Sequence, residues 1–186
     1  SRFCQDAIST VSPVPVRRLP HLVEVDPEPV PDRARFGLPE NRFVFLFIFD
    51  FLSYFERKNP MAVVRAFRQA FAGDDRALLV LKCVNSDRAP ERLAALRREA
   101  SGAAVEIVDR YFARPEVDQL IASCDAYVSL HRAEGFGLTL AEAMALGKPV
   151  IATAYSGNLD FMQPANSLLV RHRLVTLTED HGPYRR

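Results

Sequence analysis

Residues 134–142 read Glu-Gly-Phe-Gly-Leu-Thr-Leu-Ala-Glu, and the run continues Ala-Met-Ala-Leu-Gly-Lys-Pro-Val. Glu134 and Glu142 stand eight positions apart, one just before a predicted helix and one within its first turns. Between them a glycine-flanked turn, with Gly135 and Gly137, leaves backbone N–H groups without helical partners. Such a helix end attracts a phosphate. A carboxylate accepts hydrogen bonds from the hydroxyls of a sugar or ribose. Each glutamate also has a structural alternative. Thr139-Leu-Ala-Glu142 has the spacing of a capping box, and Glu134 could be a solvated loop acid.

The elements that must hold these residues follow from the apolar pattern. Phe43 to Phe49 is a continuous apolar run, as expected of a strand buried on both faces. Ala77–Val84, Val105–Val108, Ala126–Leu130 and Pro149–Ala152 read as further strands, with a sixth at Ser167–Val170. Helices alternate with them. Pro60 opens one that carries Met61, Val64, Phe67 and Phe71, Pro90–Ala100 forms another, and Pro115 opens a third. The fourth runs from Thr139 to Leu146, with Thr139 as its cap and Gly147 closing it. This alternation predicts an α/β, Rossmann-like three-layer domain with a mainly parallel sheet. Ligands bind such sheets at the carboxyl ends of the strands. Phe45, Phe47, Phe67 and Phe71 are predicted core residues.

Residues 11–40 differ in character. Six prolines between Pro13 and Pro31 favour extended or linker structure, with Val14, Val16, Leu22 and Val23 as candidates for short edge strands. The domain division is therefore 1–40 as linker and 41–186 as the binding domain. The chain starts at Ser1 and ends abruptly at Arg186, which reads as a piece of a longer protein.

Composition excludes several classes. A net charge of +1 makes no general case for nucleic-acid or membrane binding. Cys4, Cys83 and Cys124 are widely spaced with no CxxC, against a disulfide framework or a zinc site. No apolar run reaches membrane-span length and no signal peptide is visible, so a cytoplasmic location is expected.

The segment from Glu134 to Val150 resembles the E-x7-E signature of retaining glycosyltransferases with the two-domain GT-B fold, family 4 or "group 1". Asp125-Ala-Tyr-Val-Ser-Leu-His resembles the strand before that signature. Ser156-Gly-Asn-Leu-Asp-Phe-Met resembles the loop after the next strand, and Tyr54-Phe-Glu-Arg-Lys58-Asn-Pro the phosphate-binding segment. The resemblance covers about Arg42 to Val170. It implies the C-terminal, donor-binding half of such an enzyme. The first 40 residues would then be the end of the N-terminal domain and the linker between the halves. It further implies that the C-terminus is truncated and that a fragment without the other half is inactive.

By this resemblance Glu134 contacts the transferred hexose. The N–H groups of Phe136, Gly137 and Leu138, beside Gly135, meet sugar or diphosphate. Glu142 holds ribose hydroxyls. Lys58 neutralises the diphosphate leaving group; with Glu134 it forms the catalytic pair. The family pattern carries an arginine a few residues before the lysine, and Phe49–Ser53 has none. Arg57 and Ser53 are the candidates to replace it. Topology puts the nucleobase near Asp109 and Arg110. Ser156, Gly157 and Asn158 read as caps of the next helix, with donor contact as the alternative. His131 is the only histidine near the site and receives no general-base role. The resemblance implies transfer without a metal ion, and no Asp-x-Asp motif contradicts this. No cofactor is expected either, the donor being a GDP- or UDP-linked sugar.

The implied function is transfer of a hexose from a nucleotide sugar to a glycan or lipid-linked acceptor, as in polysaccharide biosynthesis. Binding of nucleic acid is not expected; peripheral association of the parent with the inner face of the membrane is compatible with this reading. Two alternatives are a non-catalytic nucleotide or sugar-phosphate binding module and a GT-B-like nucleotide-sugar epimerase.

Overall fold

The computed structural model describes residues 1–176 and 178. Its centre is strand β1 (Phe43–Asp50), whose apolar run packs on both faces. Val44 and Leu46 are fully buried and Phe47 nearly so. β2 (Ala77–Val84) is buried through Cys83. β3 (Val105–Asp109), β4 (Ala126–Ser129), β5 (Val150–Thr153) and β6 (Leu168–Val170) complete a six-stranded sheet in the order β3-β2-β1-β4-β5-β6. Every adjacent pair is parallel. The chain therefore runs outward from β1 in one direction, then returns to β4 and runs outward in the other. Where the two directions diverge, a crevice opens at the carboxyl ends of the strands.

Helices connect the strands. Prolines open α3 (Pro60–Ala70) and α4 (Pro90–Ala100), where a missing N–H is harmless and the fixed φ suits the first turn. α5 (Arg114–Ser123) has Pro115 in its first turn, and the Glu116 side chain accepts from the Ala113 N–H. α6 (Leu138–Ala145) follows β4. It begins at Leu138, with Gly137 at φ +90° in the N-cap position and no side-chain cap, so Thr139 caps nothing and the capping box does not form. Glu142 faces inward, to a different partner described below. The helix ends at Ala145, and Lys148 N returns to Ala143 O just beyond Gly147.

Two helices lie outside the sequence reading. α1 (Arg2–Ser9) exposes most of its surface and buries no residue fully. α2 (Phe55–Lys58) is a single turn flanked by Tyr54 at φ +68° and Asn59 at φ +56°. One turn is too short to show a 3.6-residue period. Aromatic packing holds it in place. Phe49, Phe51 and Phe55 form a chain of rings, with centroids 5.1 Å apart for Phe49–Phe51 and 5.4 Å for Phe51–Phe55.

No strand forms in residues 11–40, so the expected edge strands at Val14, Val16, Leu22 and Val23 are absent. Prolines remove the ladder donors, and the segment finds other partners on α5. Asp26 N donates to Asp118 Oδ2 at 3.0 Å, Asp32 N to Ser123 Oγ at 2.8 Å, and Gln119 Nε2 to Val30 O at 2.9 Å. Arg33 bonds Asp125 Oδ2 at 2.6 Å, and the same oxygen accepts from Val44 N at 2.7 Å. Residues 26–33 are thereby fastened to the sheet that they precede.

Phe47→Ala removes a central core ring and is expected to cost about 3–5 kcal/mol, read as a lowered urea midpoint with unchanged m-value. A loss under about 1 kcal/mol would contradict the placement of Phe47 between the layers.

Candidate functional site

The pairing of β1 with β4 sets the loop after β1 (51–59) beside the loop after β4 (130–137). Three bonds to backbone carbonyls join the loops. Asn59 Nδ2 donates to Leu130 O at 2.8 Å, Arg132 N donates to Arg57 O at 2.8 Å, and Arg57 Nη1 donates to Ala133 O at 3.0 Å. Across this seam lies an ion cluster. Lys58 Nζ is 2.6 Å from Glu134 Oε1, and Arg57 Nη1 is 3.2 Å from Glu134 Oε2. Glu134's side chain is only 11% exposed, so two cations meet one largely desolvated carboxylate.

Arg57 and Lys58 are neighbours, yet both reach one carboxylate. They occupy the last turn of α2, and Arg57 folds back onto its own loop. Its Nε and Nη2 donate to Ser53 O at 3.2 and 2.7 Å. Ser53 thus contributes a backbone carbonyl that aims Arg57. Arg57 belongs to the cluster and is no plain surface arginine.

The Glu134 loop is braced from the β5 side. Ser156 Oγ accepts from Glu134 N at 2.7 Å, and Gly157 N donates to Glu134 O at 2.9 Å. Any Cβ at Gly157 would stand 2.1 Å from Gly135 O, so the close approach demands glycine there. Asn158, fully buried, donates to Thr153 O at 3.0 Å and meets His131 Nε2 at 3.2 Å through Oδ1. Ser156 makes no side-chain cap, so Ser156–Asn158 brace a loop where capping of a helix was expected. His131 is buried between Ser129 and Asn158, and burial lowers its pKa.

The glycine turn has an open and a closed side. Among the described residues no hydrogen bond engages the N–H groups of Gly135, Phe136 or Gly137. Gly135 O, in contrast, accepts from Ser1 Oγ and, at 3.3 Å, from Cys4 Sγ, both at the start of α1. The Phe136 ring stacks on His21 at 5.2 Å and contacts Phe161 at 5.0 Å. Leu138, 39% exposed, starts α6.

Glu142 lies apart from the ion cluster. Its side chain is 3% exposed, and Arg114 Nη1 donates to its Oε1. Burial raises its pKa against the pull of Arg114. Asp109 accepts from Ser86 Oγ, and the Arg110 guanidinium lies 4.6 Å from the centroid of the Phe112 ring. Both line a cavity of about 450 Å³ with Phe112 and Arg35. No bond links this group to Glu134 or Glu142 among the described residues.

Two residues near these groups escaped the sequence reading. Arg114 has no motif around it, and only its position at the start of α5 makes it a partner for Glu142. Lys82 is a 5% exposed lysine inside an apolar strand, 5.3 Å from the Phe112 centroid, with its pKa lowered by burial. A lysine within an eight-residue buried strand was the available signal. Among the described residues no group of three or more His, Cys, Asp or Glu side chains is arranged for a metal ion, and no helix is long and apolar enough to cross a membrane.

The sequence profile described as "Glycosyl transferases group 1" matches residues 31–173. The chain belongs to this family. Its fold is one Rossmann-like half of the GT-B architecture. No curated protein sequence matches. Among solved structures, sucrose-phosphate synthase from Thermosynechococcus elongatus is similar over 92% of this chain and 44% of its own, with TM-score 0.73 and 23% identity. WaaG, a glycosyltransferase involved in lipopolysaccharide biosynthesis, is similar over 77% of this chain and 37% of its own, with TM-score 0.57 and 21% identity. Trehalose 6-phosphate synthase from Burkholderia multivorans is similar over 74% and 33%, with TM-score 0.60 and 16% identity. The chain thus spans a third to under a half of the length of these relatives.

The close contact at Gly157 and the buried imidazole each make a prediction. Gly157→Ala should destabilise the protein by about 1–3 kcal/mol, seen as a lowered Tm. An unchanged Tm would refute the contact with Gly135. Unfolded, His131 takes up a proton near pH 6.5, while the folded site resists it. Stability should therefore be complete above about pH 6.5 and decline below it. Urea unfolding of His131→Gln should show a shallower acid decline than the parent, and parallel declines would remove His131 from this role.

Proposed function

We propose that this chain is the donor-binding half of a retaining glycosyltransferase. The full protein would transfer a hexose from a GDP- or UDP-linked sugar to a glycan or lipid-linked acceptor. The observation that carries this reading is the convergence of Lys58 and Arg57 on Glu134, at the switch point of a parallel sheet and beside the glycine turn before α6. Glycosyl transfer breaks the bond from the sugar's anomeric carbon to phosphate oxygen, so negative charge grows on the departing diphosphate. Two cations and a helix N-terminus are suited to stabilise that charge. The same groups supply what a divalent metal would, and the proposed chemistry proceeds without one.

Lys58 is paired with Glu134. On donor entry Lys58 exchanges that carboxylate for phosphate oxygens, and Glu134 turns to the hydroxyls of the sugar. Glu142 holds the ribose. The base lies toward Asp109 and Arg110, which line a cavity of sufficient volume.

Calorimetric titration of GDP, UDP and ADP against the full protein tests the nucleotide assignment. Glu142→Ala should weaken whichever binds, by a few kcal/mol at most. Unchanged affinity would remove the ribose role. Glu134→Gln should cut sugar transfer by about 10²–10³ while the affinity for nucleoside diphosphate stays within about threefold. Equal loss in both would move Glu134 from the sugar to the nucleotide. Tight nucleotide binding with no transfer to any acceptor would favour a binding module, and acceptor-free conversion of the nucleotide sugar would favour an epimerase.

A further inference from the structure

Arg114, the first residue of α5, joins three parts of the molecule. Its Nη1 donates to Glu142 Oε1 on α6, and its Nη2 donates to Glu24 O in the linker at 2.9 Å. Nη2 also stands 2.7 Å from Asp118 Oδ1, one turn along α5. That contact is an ion pair without hydrogen-bond alignment, and Asp118 Oδ1 has no other partner. Asp118 Oδ2 in turn accepts from Asp26 N at 3.0 Å.

Glu142 depends on this arrangement. Burial by itself favours the neutral acid, and Arg114 opposes it. The other groups facing the carboxyl are Asp118 on α5, which favours protonation, His21 in the linker, which favours ionisation, and Tyr127 on β4, kept neutral by burial. Arg114 is the permanent cation among them. It also occupies only one oxygen. Among the described residues Glu142 Oε2 makes no hydrogen bond, and it is not among the buried atoms sealed without a partner. One oxygen is held and the other is left to accept.

We propose that Arg114 is the positioning residue of the donor site. It fixes Glu142 Oε1 and presents Oε2 to a ribose hydroxyl. The Glu24 carbonyl holds the guanidinium in place, so the linker takes part in orienting the ribose contact. This inference rests on the ribose reading of Glu142 given above.

The test titrates UDP and GDP, and their 2′,3′-dideoxy counterparts, into the full protein and its Arg114→Gln, Arg114→Lys and Glu142→Ala variants at about pH 8 and about pH 6. Arg114→Gln should weaken the ribonucleotide about tenfold at the higher pH and further at the lower one, where the uncompensated buried acid takes up its proton. The parent should change little between the two. Arg114→Lys should recover most of the affinity. The dideoxy compound should bind Arg114→Gln as well as it binds the parent, because it has no hydroxyl for Oε2. In turnover, donor KM should rise with kcat nearly unchanged. Equal losses for ribo- and dideoxynucleotides would make Arg114 merely structural and overturn the proposal. If Glu142→Ala weakens binding and Arg114→Gln does not, positioning by Arg114 fails while the ribose reading stands. If Glu142→Ala has no effect, the ribose reading fails and takes this proposal with it.

Discussion

The backbone pairing of β1 with β4 is the contact on which the site depends. It aligns Phe45 with Ala126 and Leu46 with Tyr127, residues some eighty positions apart in the chain. The loops leaving the carboxyl ends of those two strands carry Arg57 with Lys58 and Glu134. Burial secures the pairing. Leu46 and Phe47 on one strand and Ala126 and Tyr127 on the other are nearly inaccessible, and a slip by one residue would turn each side chain to the wrong layer.

Charge is then placed against that apolar frame in matched sets. Glu134 faces Lys58 and Arg57, Glu142 faces Arg114, and Asp125 faces Arg33. Largely buried carboxylates require such partners, because an isolated ion in low dielectric is strongly disfavoured. The first set sits at the carboxyl ends of β1 and β4, beside N–H groups that no hydrogen bond engages among the described residues. A cation already desolvated by its internal partner is well placed to exchange it for a ligand anion. The third set lies at the amino ends of the strands, where Asp125 also accepts from Val44 N, and serves the fold.

The N-terminal segment has two relations to this frame. Residues 24–33 run along α5 and are bonded to it repeatedly, so this segment belongs mechanically to the domain. α1 closes one side of the Glu134 loop, with Ser1 and Cys4 both donating to Gly135 O, and Arg2 N bonding Asp160 at 3.0 Å. The carboxylate side of the loop is left to the cations. The two relations make the glycine turn asymmetric, with its carbonyl side covered and its N–H side open.

The apolar runs from Phe43 and from Ala77, the prolines at helix starts, and the Glu134–Glu142 spacing determined by themselves the alternation of elements and the helix that carries Glu142. These are local properties: burial period, fixed φ and turn chemistry act over a few residues. Other features were beyond reach because their causes are not local. α2 is one turn held by Phe51 and Phe55 against the core, so it leaves no periodic trace. The partner of Glu142 could not be read from its own helix, where Thr139 suggested a cap but Gly137 takes the N-cap position. Arg57 and Lys58, adjacent in sequence, share one carboxylate because the Arg57 guanidinium is folded back onto Ser53 O. Sequence alone thus determined the six strands of the sheet and the longer helices between them, with the residues that stand near their ends. Tertiary structure decided which ends meet, because pairing across the sheet and desolvation of charge depend on neighbours far away in the chain.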